Sequence, residues 1–108
     1  MKPQMYRQGD VLLIPVKPLK LIEDACLAPL PTSNGRIILA YGEATGHHHS
    51  LKATVGNLFE RAQQRYLRMD IEAPLEHQEH APILIPRGTY QVVIQREYSP
   101  EALRNVQD

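Results

Sequence analysis

Short apolar runs broken by Gly and Pro dominate the chain, and helical periodicity is nearly absent. That pattern predicts an all-β fold. The first run, Val11-Leu12-Leu13-Ile14-Pro15-Val16, follows Gly9-Asp10 and is apolar on both faces. It is expected between two layers or in a barrel wall, with Pro15 placing its end at an edge or bulge. Residues 17–35 carry Pro18, Pro29 and Pro31, and read as an irregular connection with a short strand at Leu19-Lys20-Leu21-Ile22. Asn34-Gly35 predicts a tight turn with positive φ, leading into a strand over Arg36–Tyr41. After a break at Gly42–Gly46, a strand is expected from His47 to Val55. Gly56-Asn57 then reads as a hairpin turn, and Leu58-Phe59 opens the returning strand.

Arg65 to Glu72 alternates most cleanly. Leu67, Met69 and Ile71 share one face, and Arg68, Asp70 and Glu72 the other. One charged face at period two indicates a strand with one side in water, ended by Ala73-Pro74. Ile83-Leu84-Ile85 forms a further strand, and Pro86-Arg87-Gly88 suits a turn. Thr89 to Tyr98 is the last and longest strand. Ser99-Pro100-Glu101 then reads as the start of a short C-terminal helix: Ser caps, Pro at the first position loses no hydrogen bond, and Glu favours the positive end. Roughly seven strands make a single β domain, residues 1–108, built as a small barrel or two-sheet sandwich, with a cupin-like fold among the options.

Composition narrows the function classes. The 108 residues carry 12 basic and 12 acidic side chains. The resulting zero net charge argues against a general nucleic-acid or anionic-membrane binder. One Cys, Cys26, excludes an intramolecular disulfide framework and a multi-Cys zinc module, and with no local base it reads as an inert apolar residue. No apolar stretch approaches a membrane span, and Met1–Arg7 lacks the apolar core of a signal peptide, so the expectation is a cytoplasmic protein.

The distribution of histidine changes the picture most. All 5 His lie between positions 47 and 80. In His47-His48-His49, an extended chain points His47 and His49 to one face, a natural bidentate metal fragment, and His48 to the other. In Glu76-His77-Gln78-Glu79-His80, a loop or single turn between Pro74 and Pro82 can bring either His inward. The expected ligands are His47 and His49 first, then His77 and His80. Glu43, Glu76 and Glu79 are candidates for a fourth ligand or an outer partner. Glu43 and Glu79 are also candidates for a catalytic base. Such a set suits a divalent transition metal: Zn²⁺, Ni²⁺ or Fe²⁺.

Two resemblances bear on this. Gly42, His47-His48-His49 and Pro86-Arg87-Gly88 resemble the cupin motifs in part. Lys52, Ala53 and Thr54 stand where the cupin glutamate is expected, and Gln91 where the third cupin histidine is expected. The resemblance therefore implies that His77 or His80 replaces the missing ligands. Tyr6–Leu13, Gly42–His49, Pro86–Tyr90 and Gln95–Glu101 resemble an uncharacterised family of short bacterial and phage proteins, a match that spans most of the chain and implies no activity.

Other chemistries fit less well. Ser50 and Ser99 sit in no nucleophile elbow, and the Gly42–Gly46 loop lacks the Lys and helix of a phosphate-binding loop. Arg96 reads as part of an exposed sheet end. Arg61, Arg65 and Arg68 form a modest basic group for an acidic partner or RNA, which the neutral net charge disfavours. The leading expectation is a small metal-binding β protein, a metalloenzyme of unspecified reaction and substrate if the metal keeps an open position. Its rival is a non-enzymatic interaction or self-association module, such as a homo-oligomer or a phage or mobile-element accessory protein, since a small sheet has edges to pair.

Overall fold

The computed structural model describes residues 4–23, 27–42 and 46–95. Within them the chain forms β1 (Tyr6–Gln8), β2 (Val11–Val16), a one-turn helix α1 (Lys20–Glu23), β3 (Arg36–Tyr41), β4 (His48–Lys52), a 3-10 turn (Ala53–Val55), β5 (Gly56–Arg61), β6 (Gln64–Met69), β7 (Ala73–Leu75), β8 (Ile83–Ile85) and β9 (Gly88–Ile94). The fold is all-β. β9 ends at Ile94, with the described Gln95 already outside it, so the strand expected to run from Thr89 to Tyr98 stops short; the expected C-terminal helix, Arg96, Cys26 and Glu43 lie outside the described residues.

One five-stranded sheet runs in the order β1-β2-β9-β6-β5, and the hairpins β3-β4 and β7-β8 stand apart from it. Every pairing is antiparallel. The sheet ends at β1 and β5, so among the described residues it does not close, which corrects the barrel expectation. Val11 and Leu13 of β2, Leu67 and Met69 of β6, and Tyr90 and Val92 of β9 turn one face inward. Ile37, Leu39, Leu51, Leu75 and Ile85 of the hairpins pack against it, so sheet and hairpins share one core. Arg65 fastens the two parts: its Nη2 donates to the Leu39 carbonyl at 2.6 Å.

Several local expectations hold for the reasons given. β1 reaches only to Tyr6 opposite Leu13, so Ile14–Val16 pair on one side alone, the edge that Pro15 needs. Asn34 and Gly35 take φ of 52° and 74°, closed by two backbone bonds between Ser33 and Arg36.

Other expectations are corrected. Gly56-Asn57 is not a turn. β4 ends at Lys52, the 3-10 turn intervenes, and Gly56 is already in β5. The hairpin turn lies at Ala62-Gln63, with φ of 54° and 65°. β6 stops at Met69, which leaves Ile71 56% exposed rather than on the core face. Ala73-Pro74 does not end a strand but belongs to β7, where Pro74 pairs with Leu84. Lys20–Glu23 is a helical turn rather than a strand. Among the described residues no strand pairs with it, and Ile22 N–H bonds the Leu19 carbonyl at 3.0 Å while its side chain is buried. β1 was not anticipated; three residues are too few to show alternation.

Candidate metal centre

Three chain segments meet at one end of the β3-β4 hairpin. The first is the Gly9-Asp10 turn between β1 and β2, the second is β4, and the third is the loop from Glu76 to Pro82 between β7 and β8. Arg36 holds the second and third together. Its guanidinium bonds Ser50 Oγ at 3.1 Å, the Ser50 carbonyl at 3.2 Å and Glu76 Oε1 at 2.7 Å. Ser50 and Glu76 also exchange backbone hydrogen bonds of 2.9 Å in both directions. Gln78 Oε1 accepts the His48 N–H at 2.8 Å. The histidine-bearing loop is thereby pinned against the histidine-bearing strand.

One nitrogen from each of His49, His77 and His80 lies within 4.8 Å of the other two. His49 is buried, His77 half-buried and His80 exposed, so the group opens to solvent on the His80 side. The ring of His77 lies 4.3 Å from that of His49 and 4.6 Å from that of His80, centre to centre. Bonds of ~2.1 Å at a tetrahedral ion would set nitrogens ~3.4 Å apart, so closure on an ion needs inward movement of only about 1 Å.

His47 is not in this group. It precedes β4, which begins at His48, so the alternation of the strand does not set where its side chain falls. Its Nδ1 instead lies 3.2 Å from Glu79 Oε2, with its ring edge-on to His77 at 5.8 Å. Glu79 thus reaches the cluster through His47, and its backbone N–H donates to His77 Nδ1 at 2.9 Å. The Glu76 carboxylate is taken by Arg36. Of the basic group noted in the sequence, Arg65 bonds Leu39 and Arg68 Nε bonds Asp70 at 3.2 Å.

The sequence reading missed three site residues, Gln8, Gly9 and Asp10. Gln8 is 2% exposed and wholly engaged. Its amide nitrogen donates to the carbonyls of Leu75 and Ala81, each at 2.9 Å. That fixes which end of the amide faces His49, so Gln8 Oε1 accepts from His49 Nδ1 at 2.9 Å. His49 therefore carries its proton on Nδ1, and the Nε2 lone pair faces the other histidines. Metal-binding histidines are oriented in this way by an outer partner. Gly9, at φ 58°, gives the chain a close approach: a Cβ there would lie 2.9 Å from His80 Nε2 and 3.1 Å from His49 Cε1. Asp10 Oδ1 lies 3.5 Å from His49 Nε2. A Gly-Asp pair between two extended runs is a hairpin signal, and it was the one available clue.

The electrostatics keep two of the imidazoles neutral. Burial lowers the pKa of His49 below 6.5; His77 and His80 lower it further, and Asp10 opposes them. Burial also lowers the pKa of His77, with His80, His47 and His48 adding to the effect and Glu79 opposing it. Neutral imidazoles are the form that ligates a metal. The His77 Nδ1 that accepts the Glu79 N–H places the neutral ring's proton on Nε2, so ligation at either nitrogen gives up that hydrogen bond: at Nδ1 by direct competition, and at Nε2 by moving the ring proton to Nδ1.

No helix of the described residues is long and apolar enough to cross a membrane. No curated protein and no solved structure matches the chain. A family model does match, over residues 7–95, a span that includes every histidine and the Gln8-Gly9-Asp10 segment. The chain belongs to the family described as a domain of unknown function, DUF8820.

Proposed function

We propose that this protein binds one divalent transition-metal ion through His49, His77 and His80, with the His47–Glu79 pair as an outer layer. The observation that carries the reading is the convergence of three imidazole nitrogens within 4.8 Å, delivered by a strand and a loop that other contacts lock together. Gln8 supports it further, because a buried glutamine that fixes the His49 tautomer leaves Nε2 as a ready donor. Three nitrogen donors suit Zn²⁺, Fe²⁺ or Ni²⁺, and a position left open toward His80 would give such an ion a bound water of lowered pKa. On this reading the protein is a candidate metalloenzyme. Its single Cys suits a reducing cytoplasm.

The test is metal content and zinc titration of untagged protein. The expected result is one ion per chain, lost in His49→Ala and in His77→Ala. Protein without stoichiometric metal, whose melting temperature ignores chelator, would contradict the reading and favour a metal-free interaction or self-association module.

A further inference from the structure

The contact between His49 and Asp10 is electrostatically odd. Gln8 spends both amide hydrogens on the Leu75 and Ala81 carbonyls, so its oxygen takes the His49 Nδ1 proton. The remaining nitrogen, Nε2, then presents a lone pair to Asp10 Oδ1 at 3.5 Å. In the neutral imidazole, two electron-rich atoms face each other. A cation between the two atoms would bond both. Two bonds of ~2.1 Å meeting at a tetrahedral angle span ~3.4 Å, which matches this separation. The turn also delivers the carboxylate to the right side. Gly9, next to Asp10, has no side chain where His49 Nε2 and His80 Nε2 approach its α-carbon; a Cβ there would sit 3.4 Å and 2.9 Å from them.

We propose that Asp10 is a fourth ligand, so that the β1-β2 turn closes a three-histidine, one-carboxylate site on the same ion held by His49, His77 and His80. The inference rests on the metal-binding reading above. It assigns the Gly9-Asp10 turn a chemical role beyond reversing the chain. It also sets the charge of the site: three neutral imidazoles and one carboxylate leave a divalent ion with net charge of about +1. That favours a borderline divalent cation over Cu⁺, which prefers sulfur.

The experiment compares Asp10→Asn with the parent protein, loading each with Zn²⁺ and separately with Co²⁺ as a visible probe. Asparagine keeps the size and turn-forming character of aspartate, and thermal melting of the metal-free variant checks that the fold persists. The expected result is a zinc affinity lower by at least about 100-fold, the upper end of what losing an outer partner costs. The visible bands of the cobalt form should shift as well. Parent protein that binds zinc through His49 and His77, with an Asp10→Asn variant of unchanged affinity and cobalt spectrum, would overturn the assignment of Asp10 alone. Parent protein that binds neither ion would overturn it together with the site. Because a variant that fails to fold would obscure the affinity, a second measurement uses only the parent chain. Zinc loading should change the Asp10 carboxylate carbon resonance, and a resonance that stays fixed at saturation contradicts direct ligation.

Discussion

Gln8 shows how one side chain can carry both stability and site geometry. It is buried and makes three hydrogen bonds of 2.9 Å, to Leu75, Ala81 and His49. Gln8→Leu keeps the apolar bulk but strands two carbonyls and an imidazole N–H. The expected cost is about 2–3 kcal/mol in urea unfolding, because buried groups left unpaired carry their full desolvation penalty. Zinc affinity should fall about 10- to 100-fold, as when an outer partner of a ligand is removed. Gly9 separates the two effects. Gly9→Ala pays about 1–2 kcal/mol for a side chain at positive φ. The clash with His80 is relieved by swinging that exposed ring outward, so the fold should survive in a chemical melt while the titration shows weakened zinc binding. Equal affinity in Gly9→Ala and parent would contradict the close approach. Neither residue was legible as part of the site, because a buried glutamine has no sequence periodicity and its partners are 41, 67 and 73 residues away. The histidines were legible because they cluster along the chain itself.

At the level of elements, the strands that could be read were those whose side chains obey one rule throughout. Val11–Val16 is apolar on both faces, with Val11 and Leu13 buried, and Leu67 and Met69 face the core as their alternation requires. Asn34-Gly35 announced its turn because both residues tolerate positive φ. The β5-β6 turn announced nothing, since Ala62 and Gln63 hold positive φ against their own preference and only the flanking register forces it. Gly56 misled for a complementary reason. It is there for space rather than for turning: its φ of 174° is extended, and a Cβ would sit 2.1 Å from the Arg68 carbonyl oxygen. Gly56→Ala should therefore push β5 and β6 apart and cost about 3 kcal/mol or more, read as a lower urea midpoint with loss of amide protection across the β5-β6 pairs. An alanine variant as stable as the parent would show that the strands are not so close.

Across the whole molecule, the histidine cluster links stability to pH. His49 and His77 have pKa values lowered from 6.5, chiefly by burial. The unfolded chain therefore binds more protons than the folded one as pH drops below 6.5, and stability falls as pH passes down through the lowered folded values. Metal-free protein should lose unfolding free energy as pH drops below about 6.5, and His77→Gln should flatten that slope. A slope of the same size in the variant would place the proton uptake elsewhere. Bound metal should hold the imidazoles deprotonated and move the loss to lower pH. The most direct test of the account is anomalous diffraction at the zinc edge from crystals of the zinc-loaded protein. The account predicts one strong peak between His49, His77 and His80, with Asp10 reaching it from the β1-β2 turn. A map without a peak there, in crystals whose three imidazoles point apart, would contradict it.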